Sequence, residues 1–68
     1  MRTMTDKEVK RLYGFYDGGR FITIVGPVLL SEGDTPEDAA ANADFEIAEQ
    51  NLRCDFEIFK VTRERNES

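Results

Sequence analysis

The stretch SEGDTPEDAAANADFEIAEQNL, residues 31–52, decides the fold, because it holds the most complete start signal in the chain. Thr35 is placed to be an N-cap, its hydroxyl accepting from a free backbone N–H two or three residues on. Pro36 follows at the first helical position, where a missing N–H costs nothing. Asp38 stands three residues after Thr35, as in a capping box with Asp in place of Glu, and Glu37 and Asp38 both suit the positive end of the helix dipole. These residues predict a helix from Pro36 to about Leu52. Ala39, Ala40, Ala43 and Ile47 share one face at spacings of three and four, with Ala48 and Leu52 extending it sideways. Such small residues imply a helix lying close to a sheet. Asp38, Asn42, Glu46 and Glu49 fall on the opposite, wet side. Phe45 sits at the boundary, either packing on a sheet edge or projecting outward as an anchor for a partner.

Upstream, residues 11–16 are aromatic-rich and read as a strand, and Asp17-Gly18-Gly19-Arg20 supplies turn chemistry that tolerates positive φ. Residues 21–25, all strong β-formers, read as a second strand, pairing with the first as an antiparallel hairpin. Gly26-Pro27 breaks or bends the run. Residues 28–31 then form a short third strand or continue the second past a bulge, and residues 32–34 lead into the helix. Downstream, Arg53 suits the negative end of the helix. Residues 54–61 read as a strand with Phe56 and Ile58 on one face and Phe59 and Val61 on the other, a pattern of an interior strand. The expected class is α+β: a small antiparallel sheet of three to four strands with one helix on one face, in β-β-(β)-α-β order. Residues 1–9 are expected to form an N-terminal arm, residues 10–62 a single domain, and residues 63–68 a polar tail.

The 68 residues suffice for one small domain, and an apolar fraction of 40% supports a modest core. No apolar run approaches the roughly 20 residues that span a bilayer, so no membrane contact is expected. The opening MRTMTDKEVKR lacks the apolar segment of a secretory signal, which implies a cytoplasmic protein. Cys54 is alone and histidine is absent, so neither a disulfide nor a zinc site is available to staple so small a chain. A partner subunit or other binding partner becomes the expected source of extra stability.

The net charge of −5 is unevenly placed. Residues 32–57 hold nine acids, Glu32, Asp34, Glu37, Asp38, Asp44, Glu46, Glu49, Asp55 and Glu57, against Arg53 alone. Direct nucleic-acid binding needs a basic footprint and is disfavoured. RNA recognition through Tyr13, Phe15 and Phe21 is a third possibility, disfavoured by the same charge and the missing basic groove. An acidic face suits a basic protein partner instead, including the nucleic-acid groove of one. Catalysis is not expected, since Ser31 and Cys54 have no neighbouring base to activate them. Glu32, Asp34, Glu37 and Asp38 lack the spacing of an EF-hand loop, and capping accounts for the last two. Neither metal nor cofactor is expected.

Ser31-Glu32-Gly33-Asp34-Thr35-Pro36-Glu37-Asp38-Ala39, continuing through Asn42, Ala43 and Ile47, resembles the N-terminal domain of HicB-like antitoxins. That family shows a Gly-Asp-Thr turn followed by acids and an Asn-Ala pair on the helix, after an aromatic hairpin matched here by residues 13–21. The resemblance covers residues 11–61 and implies a partial ribonuclease-H-like layer of three strands, a helix and a further strand. The family's Leu-Pro-Gly-Cys segment is reduced to Pro27 within Gly26-Pro27-Val28-Leu29. No counterpart of its DNA-binding module lies between the matched stretch and Ser68, so operator binding is not implied. What the resemblance implies is a small protein that binds and silences another. Phage-encoded inhibitors such as anti-CRISPR proteins share that description. The expected partner is a nuclease or nucleic-acid-binding complex, met by Asp38, Glu46 and Glu49 with Tyr13, Tyr16 or Phe45 as apolar anchors. The alternative is a homodimer or larger assembly joined through sheet edges, prompted by an open edge at residues 11–16.

Overall fold

The computed structural model describes residues 1–63, and its elements run β1 (Arg2–Thr5), α1 (Asp6–Tyr13), β2 (Phe21–Val25), β3 (Val28–Gly33), α2 (Pro36–Gln50) and β4 (Glu57–Thr62). Among the described residues, four strands make one mixed sheet in the order β1-β4-β2-β3. β4 runs parallel to β1 and antiparallel to β2, and β2 runs antiparallel to β3. β3 and β4 are therefore parallel to one another with β2 between them, and α2 is the crossover such a pair requires. The α+β class holds, and β4 lies inside the sheet as its two apolar faces imply.

The hairpin expected from residues 11–25 does not form. Residues 6–13 are helix, and the hairpin of this sheet is β2 with β3, closed by Gly26-Pro27 between Val25 and Val28. Gly26 has φ +57, the left-handed value that a two-residue II′ turn needs at its first position, and Pro27 accepts the second. The first nine residues, expected as an arm, carry β1 and the start of α1. Thr5 caps α1 with a reciprocal box: its Oγ1 accepts from Glu8 N at 3.1 Å, and Glu8 Oε1 accepts from Thr5 N at 3.3 Å. Gly14, at φ +86, ends the helix by donating its N–H to Lys10 O at 2.9 Å. The expected tail falls at residues 63–68, of which 64–68 lie outside the described residues.

The helices cover opposite faces, which corrects the expectation of one helix on one face. Strand side chains alternate. Val9 of α1 packs with Ile22, Ile24, Leu29 and Val61, the buried core, and Met4, Tyr13, Tyr16 and Phe59 border it. Thr23 and Ser31, paired in register, point the other way. Ser31 donates to Ala39 O of α2 at 2.8 Å, which leaves Thr23 as donor in the 2.6 Å hydroxyl pair with Ser31. The expected cap is present: Thr35 Oγ1 accepts from Asp38 N at 3.0 Å. Ala39 and Ala43 are fully buried on the sheet.

This approach leaves no room for a side chain at the end of β3. A Cβ added to Gly33 would lie 2.4 Å from Ala39 N and 2.9 Å from Ala39 Cα, both helix backbone. Replacing Gly33 by Ala is expected to destabilise the fold by about 3 kcal/mol, at the upper end of overpacking costs. Urea denaturation measures it; wild-type stability in Gly33→Ala would mean that α2 does not sit this close.

Candidate functional site

With Ala39, Ala43 and Ile47 turned toward the sheet, helical geometry places Phe45 about 200° from Ala43, on the outer side. Phe45 is 66% exposed, so the outward alternative is the one realised. Ala41, Phe45, Ala48 and Leu52 follow one another at helical spacing, and all are exposed, giving α2 a second apolar stripe. Asn51, at φ 54, takes the left-handed position that ends the helix, two residues before the expected Leu52 boundary is passed. Asn51 N donates to Ala48 O and Leu52 N to Ile47 O, the paired bonds of a Schellman cap.

Acids flank this stripe. Asp38, Asp44 and Glu49 are exposed, and half-buried Glu46 accepts from Gln50 Nε2 at 2.8 Å. The helix holds five acids, Glu37, Asp38, Asp44, Glu46 and Glu49, and no base. Four of the sequence-derived site residues, Asp38, Phe45, Glu46 and Glu49, therefore share α2. Tyr13 and Tyr16 stand elsewhere, half-buried against the core under α1 and the loop that follows it. Tyr16 donates its hydroxyl to Gly19 O.

The loop at 14–20 is pinned to β3 by one carboxylate. Glu32 Oε1 accepts from Gly19 N at 2.8 Å and Oε2 from Asp17 N at 3.0 Å. This pinning brings Phe15, 52% exposed, to the rim of β3. There Phe15, Leu29, Leu30 and Phe45 line one groove with Glu32 and Glu46. Phe15, expected in a strand, stands on a loop, and its place just after the Gly14 helix cap is the signal for that. Val28, 55% exposed, continues the apolar surface at the turn. Among the described residues, no group of three or more His, Cys, Asp or Glu side chains could hold a metal ion. No helix among them is long and apolar enough to cross a membrane.

In comparison with known proteins, no family model, curated protein or solved structure matches the chain.

Burial raises the pKa of Tyr16 above its ordinary value; the Glu32 and Asp6 carboxylates add to the rise, and Arg63 opposes it. The folded chain thus favours the neutral phenol. Its contribution to stability is intact below about pH 10, the unfolded value, and is lost as pH climbs through the higher folded value. In a spectrophotometric titration, ionisation of Tyr16 is expected to lag that of free tyrosine, and Tyr16→Phe removes the lagging component. A titration unchanged by that substitution would contradict this environment.

Proposed function

We propose that this chain is a small acidic inhibitor that binds a basic, nucleic-acid-handling protein in the cytoplasm and occludes its groove, in the manner of an antitoxin or a phage anti-defence protein. The observation that carries the reading is Phe45, exposed at the centre of a helix surface holding five acids and no base. Charge alone at a solvated surface contributes little to affinity. An aromatic side chain that loses its water on binding supplies the missing part, while the surrounding acids steer a Lys/Arg-rich partner and fix its register. The resemblance to HicB-like antitoxins supports the reading through the Ser31–Ile47 stretch, since residues 13–20 of the aromatic segment are helix end and loop here.

The test is capture of a partner from nuclease-treated bacterial lysate, followed by titration of the purified pair. Glu46→Lys with Glu49→Lys is expected to weaken binding by roughly tenfold, mainly through slower association at low salt. Phe45→Ala is expected to cost roughly tenfold through faster dissociation. Phe45 and Glu49 are exposed, half-buried Glu46 lines the groove beside β3, and none of the three belongs to the buried core, so the far-ultraviolet circular dichroism should not change. Unaltered affinity in both variants would sink the acidic-face mechanism.

A second reading, self-association, is favoured by the sheet order, because β1 and β3 are both terminal strands. It places the open edges there rather than at residues 11–16. It expects a concentration-dependent dimer or higher oligomer by native mass spectrometry; a monomer across the accessible range would count against it.

A further inference from the structure

We infer that the outer edge of β3 is a docking slot for an extended, Lys/Arg-bearing segment of a partner protein, which adds as a fifth strand between Phe15 and Phe45. The inference rests on the reading of the chain as a protein-binding module and names what it binds.

β3 is terminal in the sheet, so its outward backbone groups have no strand neighbour among the described residues. One β3 carbonyl, Glu32 O, is taken by Asn42 Nδ2 at 2.8 Å, which leaves residues 28–31 as the open part of the edge. That part reads Val-Leu-Leu-Ser, without the charge or the proline that blunts edges elsewhere. A bulge between Thr23 and Ile24 leaves Leu30 as the extra residue on β3, and such a bulge re-aims the side chain toward the rim. Leu30 lines the groove there.

Phe15 and Phe45 flank this edge from opposite faces of the sheet. Phe45 belongs to α2, which lies on the Thr23–Ser31 face. Phe15 belongs to the loop tied to the side chain of Glu32, which is paired with Ile22 and points to the α1 face. An added strand turns alternate side chains to the two faces, so one set meets Phe15 and the other meets Phe45.

Charge selects the occupant. The groove carries Asp17, Glu32 and Glu46 and no Lys or Arg. A second copy pairing through its own β3 would bring these acids against their equivalents, and like charges across paired strands are destabilising. A segment alternating apolar residues with Lys or Arg matches both the walls and the field.

The test uses the whole chain and a lysine–valine alternating hexapeptide, beside the same peptide with every second amide N-methylated. The first is expected to bind saturably, to weaken as salt rises, and to slow amide hydrogen exchange at residues 28–31. N-methylation and Phe15→Ser are each expected to weaken binding by roughly tenfold. Equal binding of both peptides, or no slowing of exchange at residues 28–31, overturns the strand-addition slot. Protection of these amides without peptide, together with a dimer by native mass spectrometry, overturns it in favour of a second copy. The two proposals fail separately. A captured partner that is lost in the Glu46/Glu49 variant but leaves residues 28–31 unprotected keeps the inhibitor and removes the slot. Peptide binding at this edge with no partner captured keeps the slot and removes the inhibitor.

Discussion

Everything on the α2 side of the sheet depends on how closely that helix approaches β3. A glycine at position 33 and alanines at 39 and 43 let two backbones meet where larger residues would hold them apart. Thr23 is fully buried there, so its hydroxyl needs a partner inside the protein. Ser31 provides it and donates its own hydroxyl hydrogen bond to Ala39 O. A fixed hydrogen bond to a particular helix carbonyl, beside a contact that tolerates no Cβ, sets the rotation of α2 about its axis. That rotation is what puts Phe45 outside. A helix with a looser apolar seat could turn to bury its largest side chain; this one is held by its smallest.

The opposite face is covered by different means. α1 is two turns long and too short to be stable alone, so its capping box and the burial of Val9 carry it. Beyond Gly14 the sheet is covered by loop, and a loop over a core needs its own ties. Glu32 supplies two, through the Asp17 and Gly19 N–H groups, and Tyr16 adds a third. One helix on each face lets a short chain cover both sides of its sheet. It does nothing for the edges, and among the described residues β1 and β3 each have a strand neighbour on one side only.

The part of the fold that was legible in the sequence is the part written in local chemistry. Thr35, Pro36 and Asp38 specify the start of α2 within four residues, and the alanine spacing shows which side meets the sheet. The N-terminal half was not legible for a reason of competition. Thr5-Asp6-Lys7-Glu8 spells a capping box, yet Tyr13, Phe15 and Tyr16 have the composition of a strand, and two glycine turns bid for one hairpin. Propensity favoured Asp17-Gly18-Gly19-Arg20; the sheet uses Gly26-Pro27, because Ile22 and Ile24 must share a face with Leu29 over Val9. Of the candidate site, the acids of α2 could be read from the sequence, but helical period left Phe45 between a sheet edge and an outward position and set Glu46 on the wet side, where it is half-buried beside β3. The groove could not, since Phe15 reaches β3 only through the Glu32 carboxylate, fifteen residues from Asp17.

The two edges of the sheet differ in charge, and this limits what the protein can do with them. β1 and α1 carry Arg2, Lys7, Lys10 and Arg11 together with Asp6 and Glu8; beside β3 stand Asp17, Glu32 and Glu46. Like charges repel, so a symmetric dimer through β3 opposes its own electrostatics. Unlike edges attract, but joining β1 of one copy to β3 of the next is a head-to-tail contact that leaves a free edge at each end. Arg2 is also engaged with Glu57 at 3.5 Å across the β1–β4 pair, which lessens its claim on a neighbour. A basic strand from a different protein satisfies the β3 edge once and ends there. The acids at the β3 edge thus oppose a like-charged copy there and favour a basic segment from elsewhere.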